Sequence, residues 1–130
     1  MTQPQVYDAG ALIALDRNDR RMWARYQVAI EDDRDVHVPA VVVAQTWRDG
    51  ARQMRLGRVL AGCHVDPVGV ETAKAAGTLC GRARTADVTD AIVVVVAAAL
   101  GAVLWTSDLA DLRKLAQRVG VRPPPVVCAV

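Results

Sequence analysis

Apolar positions along the chain change their period many times in 130 residues, and each change marks an element. Val6-Tyr7 ends a short apolar run that reads as a strand, and Ala9 to Leu15 reads as a short helix behind it. From 19 to 32, apolar side chains recur at 22, 23, 26, 29 and 30, the spacing of one helical face. Residues 35–39 (DVHVP) predict a second strand, stopped by Pro39. Residues 40–62 predict one helix or two, with Gly50 and Gly57 as weak points. Residues 63–68 (CHVDPV) predict a third strand, and 69–84 a helix. The stretch 87–100 is ambiguous: Val93 to Val96 favour a strand, whereas the Ala-rich end, the length and the stop at Gly101 favour a buried helix. Residues 102–106 (AVLWT) predict a strand buried on both faces. Residues 109–120 predict an amphipathic helix ending at Gly120, and 124–130 a last strand.

Strands that alternate with helices predict an α/β fold, a mostly parallel sheet with helices on both faces. Right-handed crossovers put every strand's carboxyl end on one edge. In open sheets of this kind the ligand site lies at that edge. The length suits a single domain, 1–130, and no internal repeat is visible.

Composition changes this picture little: 52% hydrophobic and 23% charged residues allow a buried core with a charged surface. The first ten residues lack the basic-then-apolar pattern of a secretory leader. The longest apolar run, 91–105, is interrupted by Gly101 and falls short of the roughly 18 residues a membrane span requires. A cytoplasmic location without a membrane partner is therefore expected. Cys63, Cys80 and Cys128 are odd in number and form no CxxC, which argues against a disulfide framework and a zinc site. At least two are expected to be small buried hydrophobes. The net charge of +2 does not by itself point to nucleic acid. Of the 16 basic residues, 14 are Arg, the better fork for phosphate, although Arg-biased codon usage gives the same ratio.

The acids change the picture more. Asp8 follows the first strand, and Asp108, in TSD, follows 102–106. Asp90 opens the helix before that strand, and Asp111 lies one turn past Asp108. Taken singly, Asp8 and Asp108 can be helix N-caps, and Asp87 with Asp90 a cap and its partner one turn on. Taken together, Asp8 and Asp108 reach the same sheet edge by topology, with Asp90 leaning in from a helix start. Neighbouring carboxylates repel, and burial raises the cost, so such a cluster calls for a cation. Mg²⁺ and Mn²⁺ prefer oxygen ligands, and such ions activate water and stabilise in-line displacement at phosphorus. The chemistry suggested is metal-assisted phosphodiester hydrolysis.

Three stretches, VYDAGALIAL at 6–15, VPAVVVAQTWRDG at 38–50 and TDAIVVVVAAALGAVLWTSDLADL at 89–112, resemble the PIN-domain nucleases. The likeness is in particular to the toxin half of VapBC-type toxin–antitoxin pairs, with length and element order agreeing over nearly the whole chain. The resemblance implies a three-layer α/β/α PIN-like domain, acids around Mg²⁺ or Mn²⁺, cleavage of RNA, inhibition by a small VapB-like antitoxin, and a toxin homodimer. It implies that Asp8, Asp90 and Asp108 bind the metal, with Thr106 as the hydroxyl before the last of these. Asp111, whose spacing matches more loosely, is implied as a further acid of the catalytic set. Two positions depart from the pattern. Gln45 stands where relatives carry Glu; its amide can ligate through oxygen but adds no charge, so metal affinity should drop, and Asp49, one turn on, is expected to substitute in part. Ala9-Gly10 stands where relatives often carry a hydroxyl residue.

If 40–56 is one helix, Arg48, Arg52 and Arg55 form a stripe beside Gln45 that could hold RNA phosphates; the competing reading is a solvated or antitoxin-binding face. Met22, Trp23 and Tyr26 read as core or interface rather than a base-stacking platform, as does Trp47, with Trp105 as core. His37 and His64 read as isolated, without a carboxylate or Ser partner at a telling position, so neither is assigned as general base. Asp16, Asp19 and the EDDRD run at 31–35 read as solvated loop charges. The first expectation is a metal-dependent ribonuclease toxin. The alternative is a binding module for RNA or an antitoxin-like partner that no longer cuts. A phosphoaspartate receiver or phosphatase wants an acid pair or D-x-D that Asp8-Ala9-Gly10 does not provide.

Overall fold

A computed structural model describes residues 2–130. Five strands, β1 (Gln5–Tyr7), β2 (Val36–Pro39), β3 (His64–Asp66), β4 (Val103–Thr106) and β5 (Val127–Ala129), form one sheet in the order β3-β2-β1-β4-β5. Every pairing is parallel. The chain winds outward from β1 through β2 to β3, then crosses back to the other side of β1 for β4 and β5. The reversal falls between β1 and β4, where Gln5, Val6 and Tyr7 pair with Val103, Leu104 and Trp105.

Seven helices cover the sheet: α1 (Ala9–Asp16), α2 (Arg20–Glu31), α3 (Ala40–Thr46), α4 (Met54–Ala61), α5 (Val70–Ala83), α6 (Val88–Leu100) and α7 (Leu109–Arg118). Helix α1 packs on α2, α3 and α4, while α5, α6 and α7 pack on one another. Right-handed crossovers put the first group on one face and the second on the other, because the direction of travel across the sheet reverses after β3. The α/β class and helix-covered parallel sheet expected from alternation are thus observed. Among the described residues no helix is long and apolar enough to cross a membrane.

The ambiguous stretch is helix α6. Its Ala91, Ile92, Val93, Val94 and Ala97 are buried, and it meets α5, α7 and strands β1, β2 and β4. A helix enclosed on most sides can be apolar around its circumference, and such packing outweighs the weak strand preference of valine. Gly101 closes it in the left-handed conformation at φ 63°, its amide donating to the Ala97 and Ala98 carbonyls. Strand β4 is less enclosed than expected: Leu104 and Thr106 are buried, Val103 and Trp105 half-buried. The Trp105 ring carries the Arg25 guanidinium at 4.8 Å, so it is a lid on the core rather than its centre. Of the cysteines only Cys80 is buried, and Cys63 and Cys128 are half-buried.

Residues 40–62 are not one helix. Helix α3 ends at Thr46, because Trp47 turns to extended geometry at ψ 129°. The connecting loop is held by Gln53, a buried residue. Its Oε1 accepts from the Arg48 amide at 2.7 Å and the Asp49 amide at 3.0 Å. Its Nε2 donates to the Thr46 carbonyl at 2.8 Å and to Asp16 Oδ2 at 3.2 Å. The expected stripe of Arg48, Arg52 and Arg55 therefore does not exist. Arg48 folds back on the end of α3, donating to the Ala44 and Trp47 carbonyls, Arg52 lies in the loop beside Asp49 at 3.7 Å, and only Arg55 is helical.

Because Gln53 satisfies both the loop and the helix end, Gln53→Ala should cost about 1–3 kcal/mol, the penalty for stranding buried polar groups. A urea midpoint equal to wild type would refute this role.

Candidate active site

Asp8 follows β1 directly and caps α1, where the Ala11 amide donates to its Oδ1 at 3.1 Å. The capping reading of this residue is therefore correct as far as it goes, but one hydrogen bond does not neutralise a carboxylate that is only 6% exposed. Burial pushes its pKa above the ordinary range. Hydrogen bonds from the Thr106 hydroxyl and from the Ala11 and Gly10 amides offset part of that rise, and the Asp108 charge adds to it. The acid thus retains an electrostatic demand that its cap does not meet.

Asp108 lies on the same edge, past the end of β4. It occupies the N-cap position of α7 without making a side-chain capping bond. Its backbone amide donates instead to Thr106 Oγ1 at 2.8 Å, so the fully buried Thr106 serves both acids. Although exposed, the Asp108 carboxyl is also raised, by partial desolvation first, then by Asp111 and Asp87.

Asp90 comes from the first turn of α6. The cap there is Asp87, whose Oδ1 accepts from the Asp90 amide at 3.1 Å. The Asp90 carboxyl is half-buried and is pushed up to about 7 by burial, then by Asp87, then by Asp108 and Asp8. Asp8, Asp90 and Asp108 thus form one electrostatic unit, with Asp111 and Asp87 at its margin. Beside them a cleft of about 180 Å³ is lined by Arg84, Thr85, Asp87, Asp90, Asp111 and Lys114, among others. Arg84 and Lys114 were not singled out by the sequence pattern. Arg84 holds the left-handed conformation at the end of α5, φ 54°, uncommon for a residue with a Cβ and invisible to a reading of periodicity.

Gln45 is exposed in the last turn of α3. Asp49 lies beyond the end of that helix, so the expected one-turn relation to Gln45 is broken. Its carboxylate accepts from the Ala51 amide and sits near Arg52, and Asp49 is not among the groups that raise Asp8, Asp90 or Asp108. The Ala9-Gly10 departure has a steric reason. A Cβ on Gly10 would collide with the Ser107 side chain and approach its backbone nitrogen to 2.9 Å. Ser107, from the β4–α7 turn, thus occupies the space that a side chain at position 10 would need.

The two histidines are not isolated. His37 and His64 are cross-strand neighbours in β2 and β3, each beside a carboxylate that a linear reading cannot pair with it. Asp35, assigned to a solvated run, is one of those carboxylates.

No protein-family model and no curated protein sequence matches the chain. Solved structures do. A chain of VapBC2 from Rickettsia felis, in a crystal structure bound to a DNA fragment from their promoter, superposes with a TM-score of 0.73 at 11% identity, covering 98% of this chain and 99% of that one. A chain of FitAB bound to the IR36 DNA fragment superposes with a TM-score of 0.67 at 14% identity, covering 96% and 94%. At such identities the likeness speaks for the fold alone, an α/β arrangement shared over nearly the whole chain.

A carboxyl whose native pKa is raised lets the native state hold more protons than the unfolded one between the two values. For Asp90 that window runs from the ordinary 3.8 to about 7. Stability from this group is therefore full in acid and declines as pH rises through the window. Asp90→Asn should raise Tm at pH 8, with the gain disappearing as pH falls towards 4. Equal melting temperatures at pH 8 would contradict the repulsion.

Proposed function

We propose that the chain is a metal-dependent endoribonuclease, a VapC-like PIN-domain toxin forming a single domain over 1–130. The observation that carries this reading is the grouping of Asp8, Asp90 and Asp108 at the topological reversal of the sheet, all three carboxyls held above their ordinary range. The groups that raise them are other carboxylates and burial, so the donor set fits a hard dication with oxygen ligands. Asp8, Asp90 and Asp108 would hold Mg²⁺ or Mn²⁺. When bound, the ion supplies a water acidified for attack and positive charge for the phosphorane-like transition state.

The chain's own residues do the rest. Thr106 keeps Asp8 and Asp108 in register through its hydroxyl. Asp111, which lines the cleft, would orient water or help hold a weak second ion. Arg84 and Lys114 line the same cleft and draw the phosphate backbone to it, since cationic side chains supply most sequence-independent affinity for nucleic acid. Arg48 and Arg52 keep only a peripheral role in RNA binding, as loop cations away from any helical stripe. Gln45 and Asp49 act at most through water at the margin. An inhibitory VapB-like antitoxin, a toxin homodimer and a cytoplasmic location belong to the same reading; likeness to a chain of the VapBC2 assembly supports the antitoxin. The exposed, neutral Gln45 favours one competing reading, a module that binds RNA or antitoxin with little or no cleavage.

The test is calorimetric Mn²⁺ binding and cleavage of a mixed RNA substrate by wild type, Asp8→Asn and Asp90→Asn. Each substitution should weaken ion binding and lower cleavage by at least about 100-fold, the scale of losing one charge-stabilising group in a catalytic site. Gln45→Glu should tighten the ion. Wild-type ion binding without cleavage would select the binding module, and cleavage untouched by both Asn variants would remove the proposed site.

A further inference from the structure

On the far side of the sheet from β4, the edge strand β3 and its neighbour β2 carry a second group of donors. Strand register places His37 opposite His64. Side chains two apart on a strand share a face, so Asp66 joins His64 within β3, while Asp35, one residue ahead of β2, lies beside His64. The imidazole rings stack, with centroids 4.7 Å apart and planes 21° from parallel. His64 Nε2 lies 3.4 Å from Asp35 Oδ1. Asp35, His37 and His64 each offer a ligand atom, and these three atoms lie within 4.8 Å of one another. Among the described residues this is the one such convergence of His, Cys, Asp or Glu ligands. The acids at the β1–β4 reversal are not such a convergence.

Asp66 is the fourth member. His37 Nδ1 lies 2.9 Å from Asp66 Oδ2. A carboxylate that accepts from Nδ1–H leaves the Nε2 lone pair free, the arrangement by which metal-bound histidines are oriented. His37 and Asp66 are the more sheltered pair, with side chains 14% and 31% exposed, while His64 and Asp35 are open at 58% and 69%. The histidine that needs a fixed orientation therefore has a buttress, and the ion has an entrance.

We propose that Asp35, His37 and His64 bind a borderline transition-metal dication such as Zn²⁺, with Asp66 as the positioning residue behind His37. Two imidazoles and one carboxylate select Zn²⁺, Cu²⁺, Ni²⁺ or Co²⁺ over Mg²⁺. Ligands about 2.0–2.1 Å from a tetrahedral zinc stand roughly 3.3 Å apart, close to the 3.4 Å between His64 and Asp35. Three protein ligands leave one position for water or an outside donor. Cys63, beside His64 in sequence, is not a ligand: alternation points it to the other face, and burial pushes its thiol up to about 11. The ion would tie the three-residue edge strand β3 to β2. This site is independent of the ribonuclease reading, since none of its residues serves the acidic edge.

The test is calorimetry of the metal-stripped, tag-free chain with Zn²⁺ and, in parallel, Mg²⁺, using wild type, His64→Ala, Asp66→Asn and Asp90→Asn. The expected result is one Zn²⁺ per chain, bound at least 10-fold more weakly by His64→Ala, about 10- to 100-fold more weakly by Asp66→Asn, and equally by Asp90→Asn. A rise in Tm on adding Zn²⁺, absent in His64→Ala, should accompany it. No Zn²⁺ binding up to millimolar ion, or equal affinity in wild type and His64→Ala, overturns the proposal. Zn²⁺ binding lost in Asp90→Asn but kept in His64→Ala also overturns it, by moving the ion to the acidic edge and leaving the ribonuclease reading intact.

Discussion

Parallel pairing of β1 with β4 is the constraint on which the rest of the molecule depends. Three register pairs, Gln5 with Val103 through Tyr7 with Trp105, join segments almost a hundred residues apart. The pairing makes the next residues neighbours as well: the Asp8 amide donates to the Trp105 carbonyl at 3.2 Å. The chain then has to leave both strands on the same side, and Gly10 is needed so that α1 can start against the Ser107 turn. Two acids and a buried threonine are brought together by backbone geometry before any side-chain preference is consulted.

That geometry creates a conflict which the fold accepts rather than removes. Carboxylates are most stable apart and hydrated, yet Asp8 is buried and Asp90 half-buried within range of each other's charge. Helix ends relieve some of this: the Ala11 amide serves Asp8, and α6 begins next to Asp90 with Asp87 as its cap. Partial positive charge at helix starts stabilises acids only modestly. A site that keeps such a conflict is stabilised by whatever cation enters it, and stored electrostatic strain of this kind concentrates at functional positions.

The centre of the sheet and its β3 edge solve charge differently. At the β1–β4 reversal like charges are crowded and left uncompensated by their neighbours. At the β2–β3 edge acids alternate with imidazoles, each carboxylate beside a ring that can donate to it. The second arrangement places a hydrogen-bond donor beside each acid, and it sits on an open strand edge. It also gives β3 side-chain ties beyond its backbone ladder, apt for a short strand whose Val65 is exposed.

The order and type of nearly every element were legible in the chain itself, because helix and strand periods are local. Gly101 and Pro39 mark their boundaries through backbone chemistry that needs no partner. The acids after β1 and β4 were legible too: once strands alternate with helices, handedness alone sends both to one edge. Tertiary structure decided what depends on residues far apart in sequence. Gln53, through Asp16 and the end of α3, breaks a stretch whose periodicity is helical, and with it the arginine stripe disappears. Arg84 and Lys114 meet in one cleft because α5 and α7 pack together. His37 and His64 become partners only through the β2–β3 register, since a strand records which face a side chain takes but not which residue lies opposite.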